Sequence, residues 1–171
     1  AGPNGGRLRA EKGINFPDTE LEVDALTVKD RRDLEAVVGY ADMIAMSFIR
    51  RPEDVLNLED DLTRLDAQHI GVVLKIENKH AFEVLPRLLL TAMRTPPVGV
   101  MVARGDLAVE VGFERLSEVQ EEILWVCEAA HVPLIWATQV LEGLAKRGEP
   151  SRAEVTDAAA SQRAECVMLN K

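Results

Sequence analysis

Pro97-Val98-Gly99-Val100-Met101-Val102-Ala103-Arg104-Gly105-Asp106-Leu107 decides how the chain is read. Its apolar run is short, unbroken and rich in valine, the pattern of a parallel strand covered on both faces. It ends abruptly in two opposite charges with a glycine between them. In parallel α/β proteins ligands bind at the carboxyl ends of strands, and a glycine there lets the main chain approach a ligand. Two other runs end in a similar way. Val72-Val73-Leu74-Lys75-Ile76-Glu77-Asn78 closes on a lysine and a carboxylate, and Val132-Pro133-Leu134-Ile135-Trp136-Ala137-Thr138-Gln139 closes on a hydroxyl and an amide.

The segments around these runs alternate with them. Residues Ala1 to Val28 read as irregular, with a short strand around Arg7 to Arg9. Thr27 can cap a helix whose stripe is Leu34, Val37 and Val38, and which stops near Gly39. Met43 to Ile49 is a buried strand, and Pro52 then starts a helix carrying Val55, Leu58, Leu62 and Leu65. Its Glu59-Asp60-Asp61 run is expected to be a solvated face. The strand Gly71 to Glu77 leads into helical pieces over Ala81 to Leu85 and Pro86 to Met93. Leu116, Val119, Ile123, Leu124, Cys127 and Ala130 mark a long helix, and Leu134 to Ala137 a strand. A helical turn through Leu141 and Leu144 follows, Ser151 caps a helix through about Gln162, and Cys166 to Leu169 is the last strand.

Five strands alternating with helices about 30 residues apart are the signature of βα units with right-handed crossovers. An open doubly wound sheet also fits that alternation. Polar groups at the ends of several successive strands, however, favour a (β/α) barrel over a single switch point. A full barrel takes about 250 residues and eight units. The fold class is therefore α/β, a partial TIM (β/α)8 barrel of five βα units.

The composition of the 171 residues, 47% hydrophobic and 29% charged, is that of a chain able to build one core. A net charge of −9 argues against nucleic acid or an anionic membrane as a general partner. No apolar run approaches the roughly 18 to 20 residues of a membrane span, so a soluble, cytoplasmic protein with no membrane partner is expected. Cys127 and Cys166 read as buried free thiols. His69, His80 and His131 lack metal-ligand spacing. The opening Ala1-Gly2-Pro3-Asn4-Gly5-Gly6, without an initiator methionine, suggests a start within a longer protein.

Lys75 and Glu77, two apart on a strand, point to one face while Ile76 points to the other. They can satisfy each other as an ion pair, or belong to a site. Asp106 from the neighbouring strand end would add a second carboxylate, and two such oxygen ligands suit Mg²⁺ or Mn²⁺. A cation there would bridge anionic substrate oxygens. Lys75 would give a positive donor to a phosphoryl group or an enolate oxygen, and Gly105 and Asp106 would give backbone N–H groups to a carboxylate. Arg104 can instead fasten loops. Thr138 and Gln139 can bond a substrate carboxylate or cap the next helix. Glu110, Glu142 and Arg152 read as loop braces.

Lys75-Ile76-Glu77-Asn78, Met101-Val102-Ala103-Arg104-Gly105-Asp106-Leu107, Ala137-Thr138-Gln139 and Arg152-Ala153-Glu154, in this order and spacing, closely resemble pyruvate kinase. Ser47-Phe48-Ile49-Arg50 and Lys12-Gly13-Ile14-Asn15-Phe16-Pro17 are similar to two further segments of that family. The resemblance implies the last five units of a (β/α)8 barrel over residues 18–171, with residues 1–17 as the end of an inserted lid domain and its return linker. It implies phosphoenolpyruvate and ADP as substrates, pyruvate and ATP as products, and a homo-oligomer, a tetramer, in the intact protein. By position, Glu77 and Asp106 match the divalent-metal ligands. Lys75 matches the lysine that contacts the phosphoryl group and stabilises the enolate. Gly105, Asp106 and Thr138 match the substrate-carboxylate pocket, so that Lys75 and Thr138 are the expected catalytic residues. K⁺ is implied as well, at a site outside this chain, and the first three strands and the nucleotide residues are expected there too. The sequence departs from the family at Ala108, at Lys79-His80-Ala81 and at Asn170-Lys171. Two alternatives follow from those departures: an aldolase or lyase acting through a pyruvate enolate on the same barrel, and a catalytically silent relative.

Overall fold

The five apolar runs form five strands: β1 (Met43–Met46), β2 (Gly71–Ile76), β3 (Val98–Ala103), β4 (Leu134–Ala137) and β5 (Cys166–Val167). This is seen in a computed structural model that describes residues 15–17, 19, 23–95 and 97–169. The strands are parallel and hydrogen-bonded in sequence order, β1-β2-β3-β4-β5. That order has no reversal point, so it is the singly wound order of a barrel and not the doubly wound alternative. Among the described residues β1 and β5 each pair with one neighbour, and the sheet is open.

Among the described residues one helix precedes β1 and seven connect successive strands: α1 (Val28–Val37), α2 (Pro52–Arg64), α3 (Lys79–Glu83), α4 (Leu85–Ala92), α5 (Arg104–Val111), α6 (Leu116–Ala130), α7 (Glu142–Arg147) and α8 (Arg152–Ser161). Their starts follow local chemistry. Thr27 Oγ1 accepts from the Asp30 N–H at 3.2 Å while Asp30 accepts from the Thr27 N–H at 2.8 Å, a reciprocal cap on α1. Pro52 stands in the first turn of α2, where its missing N–H costs nothing. Ser151 and Glu154 make the corresponding pair on α8. Gly112, at φ +86°, ends α5 in a conformation that a side chain would strain.

The two sheet faces differ. Residues such as Leu74, Ile76, Val100, Val102, Leu134 and Trp136 pack against the helices, with Leu58, Leu88, Val119 and Ile123 among their buried partners. The alternate residues form a much smaller cluster of Val73, Met101 and Ala137, with Ile135 against it. On this second face Met43 is exposed and so is Cys166, which the register sets beside Ile135. The helices thus cover one side of the sheet, and the side that would line a barrel is largely open.

Several expectations need correction. Cys127 is a buried free thiol, but Cys166 is exposed, because the face it occupies lacks a covering layer. Asp61 is not solvated: it is buried and pairs with Arg31, reached from α1, and with Arg64 at 3.2 Å. The first and last strands are shorter than their apolar runs, ending at Met46 and Val167, and after β1 the backbone turns at Phe48. α5, which the sequence reading does not assign, begins directly at Arg104, so Gly105 and Asp106 lie in its first turn. The strand expected around Arg7 to Arg9, and most of the segment assigned to a lid and return linker, lie outside the described residues. No helix of the described residues is long and apolar enough to cross a membrane.

Candidate active site

At the carboxyl ends of the strands lies an open cleft of about 390 Å³, lined by Ser47, Lys75, Glu77, Gly105, Asp106 and Thr138 among others. The groups arrive from four successive strand ends: Ser47 after β1, Lys75 in β2 with Glu77 just past its end, Gly105 and Asp106 in the first turn of α5 after β3, and Thr138 after β4. The five residues singled out from sequence, Lys75, Glu77, Gly105, Asp106 and Thr138, therefore share one cleft.

Lys75 and Glu77 form the ion pair that their spacing allows, with Nζ 2.6 Å from Oε1. The pair does not exhaust either group. Lys75 Nζ also donates to Ser47 Oγ at 2.7 Å, and Glu77 Oε2 accepts from the Phe48 N–H at 2.6 Å. Glu77 is buried, and an ionised carboxylate there requires such donors. Phe48 has φ +53°, a strained conformation for an aromatic residue, and that turn accompanies the N–H contact to Glu77. Asn78 binds the same loop from the other side, its Nδ2 donating to the Ile49 carbonyl at 2.8 Å. Its Oδ1 accepts from the Ala81 N–H at 2.8 Å and caps α3.

Asp106 is half-buried, and among the described residues its side chain makes no hydrogen bond or ion pair. It is the third residue of α5, where a negative charge is favoured by the helix dipole. Two carboxylates in one cleft fit a hard divalent cation that keeps water or substrate oxygens in its remaining positions. Among the described residues no group of three His, Cys, Asp or Glu could hold a metal. The donor set on offer is thus the sparse, all-oxygen kind suited to Mg²⁺ or Mn²⁺.

Arg104 takes its structural reading. Its Nε donates to the Ala137 carbonyl at 3.0 Å, its other nitrogens reach the Thr138 carbonyl and Asp157, and its guanidinium lies 4.9 Å from the Trp136 ring centre. It ties the first residue of α5 to the end of β4 and so sets Asp106 relative to Thr138. Gln139 instead lines a second depression, with Glu142, Gly143, Ser151 and Glu154. Glu154 accepts from the Gly143 and Ser151 N–H groups, and these bonds hold its carboxyl below the usual carboxylate range. Glu110 accepts from Asn15 Nδ2 at 3.3 Å, and Glu142 pairs with Lys146.

Sequence reasoning missed Ser47, the Phe48 N–H and Asp157 as parts of this arrangement. No clear signal marked the first: Ser47 sits inside the apolar run Met43 to Ile49 and does not close it. Asp157 carries no mark either, because it sits among the small residues of α8.

A parallel, sequentially ordered sheet with helices on one face and polar groups gathered at its carboxyl ends defines a (β/α)-barrel domain with a rim site. The pyruvate kinase barrel-domain model matches residues 2–171. The chain is 36% identical over 170 residues to the pyruvate kinase of Hypocrea jecorina, an alignment covering 98% of this chain and 30% of that protein. It is 38% identical over 156 residues to the pyruvate kinase of Thermotoga maritima, covering 91% and 32%. To that of Methylorubrum extorquens it is 40% identical over 169 residues, covering 97% and 34%. The chain belongs to the pyruvate kinase family, and it spans about a third of the length of these relatives.

Proposed function

We propose that this chain carries the divalent-metal and enolpyruvate half of a site that moves the phosphoryl group of phosphoenolpyruvate to ADP, giving pyruvate and ATP. The supporting observation is that Lys75, Glu77, Gly105, Asp106 and Thr138 line a single cleft. Phosphoryl transfer asks little covalent chemistry of the protein, so positioning and charge neutralisation account for most of the rate. Lys75 presents its ammonium to the departing phosphoryl group and to the oxygen on which charge collects as the enolate forms. The N–H groups of Gly105 and Asp106, at the start of α5, and the Thr138 hydroxyl receive the substrate carboxylate. Glu77 and Asp106 would hold Mg²⁺ or Mn²⁺, which supplies positive charge between the substrate oxygens. K⁺ and the nucleotide contacts are assigned outside this chain. The intact protein is proposed to be a cytoplasmic homo-oligomer, a tetramer by family.

The test is a coupled pyruvate assay on the intact protein. Turnover should require phosphoenolpyruvate, ADP and a divalent cation, and should fall by about 10²- to 10³-fold or more in Lys75→Met. Absence of turnover in the intact protein would overturn the reading. Pyruvate release from a hydroxy-keto acid without ADP would replace it with lyase chemistry.

A further inference from the structure

We propose that Ser47 is a positioning residue for Lys75: its hydroxyl is a second acceptor that, together with Glu77, fixes the ammonium in the cleft. This rests on the phosphotransfer reading given above. Met46 pairs with Leu74 in the β1–β2 register, so the next residue, Ser47, stands level with Lys75. Alternation places Ala45 and Ser47 on the same face as Val73 and Lys75. The result is a contact of 2.7 Å from Lys75 Nζ to Ser47 Oγ, made alongside the 2.6 Å contact from the same nitrogen to Glu77 Oε1.

A lysine ammonium is a compact charge on a stem with four rotatable bonds, and one acceptor does not fix its position. Here two acceptors approach it from neighbouring strand ends. With Glu77 as its only partner, the ammonium would be free to swing about that single contact. Ser47 supplies the second point of attachment. A hydroxyl can do this while keeping its own proton to donate into the cleft, which a carboxylate in the same place could not.

The serine is itself held. Its neighbour Phe48 turns into the left-handed region and donates to Glu77 Oε2 at 2.6 Å, and Ile49 accepts from Asn78 at 2.8 Å. Three consecutive residues after β1 thus grip three residues at the end of β2, namely Lys75, Glu77 and Asn78. Preorganisation of this kind acts on the chemical step, because a displacement of about 1 Å can cost roughly 10²-fold in rate.

The experiment compares Ser47→Ala and Ser47→Thr with wild type in the intact protein, by two independent readouts. In the coupled assay Ser47→Ala should lower kcat by about 10- to 100-fold with KM for phosphoenolpyruvate changed little, and Ser47→Thr should recover most of the loss. In trace acetylation with acetic anhydride, read by mass spectrometry without substrate, Lys75 labelling is normalised to Lys29, which is 80% exposed. That ratio should rise by about 3- to 10-fold in Ser47→Ala, the equivalent of one lost hydrogen bond, and stay near wild type in Ser47→Thr. Equal labelling in wild type and Ser47→Ala overturns the proposal whatever the assay gives. A kcat within twofold of wild type, or a Ser47→Thr as impaired as Ser47→Ala, also overturns it. If wild type shows no turnover, the phosphotransfer reading falls, and the labelling ratio alone then upholds or overturns the serine's hold on Lys75.

Discussion

The indole N–H of Trp136 donates to Oδ1 of Asp157 at 3.2 Å, the same oxygen on which the Arg104 guanidinium closes. One carboxylate on α8 therefore ties the end of β4 to the start of α5. Arg104→Lys keeps the charge but loses the planar fork and its stacking on Trp136, and so is not a conservative change here. It should lower stability by about 1 to 3 kcal/mol, read from the urea midpoint of the intact protein. A midpoint equal to that of wild type would show that the clamp contributes nothing.

The two thiols should separate cleanly in reactivity. Burial, aided by the nearby charge of Glu165, pushes the Cys127 thiol up to about 12, so that it is neutral and shielded in the folded protein at pH 8. Cys166 lies on the exposed face of the sheet. Where no further segment covers that face, iodoacetamide at pH 8 modifies Cys166 first, and Cys127 reacts only after denaturant is added. Mass mapping of the alkylated peptides gives the order, and early labelling of Cys127 would contradict it.

Glu154 couples the α7–α8 connection to pH. Its carboxyl lies below the ordinary value of 4.5, first because of the Ser151 N–H and next because of the Gly143 N–H. A carboxyl lowered by folding contributes stability that is fully present above its unfolded pKa and is lost as pH falls through the folded one. Urea midpoints should therefore decline in acid below about pH 4.5, and Glu154→Gln should decline less over that window. Parallel acid profiles for the two proteins would remove Glu154 from the account.

The helix-facing side of the sheet should carry most of the stability. Leu74 is fully buried there, and Leu74→Ala should cost about 2 to 5 kcal/mol. Leu90, at 71% exposure on α4, provides the contrast: Leu90→Ala should stay within about 0.5 kcal/mol of wild type. Denaturant titration of both variants checks the difference.

What the sequence disclosed follows from periodicity. Runs such as Val98 to Ala103 and stripes such as Val55, Leu58 and Leu62 name their own elements, because burial on two faces or on one imposes those spacings. Caps at Thr27 and Ser151 were legible because they depend on residues three apart. α5 was not: Arg104 to Val111 contains a glycine and two valines, and its helix is fixed by the clamp from β4 and α8, not by local propensity. Asp61 was hidden because its partner Arg31 lies thirty positions upstream. The gathering of Lys75, Glu77, Gly105, Asp106 and Thr138 could be read because strand ends in a parallel sheet converge. Ser47's grip could not, since it depends on how one loop leaves the sheet.

Arg104 follows Ala103 with no intervening residue, so strand and helix meet at a joint that has no slack. The axis of that joint is set from outside, by the carbonyls of Ala137 at the end of β4 and Thr138 just past it, and by one acid on α8. Asp106 therefore takes its bearings from its neighbour's scaffold more than from its own. Lengthening the chain by a single residue after Ala137 would misdirect this acid while leaving every group in the cleft chemically intact. Tolerance to insertion should accordingly be lower at that seam than on the helical side of the molecule.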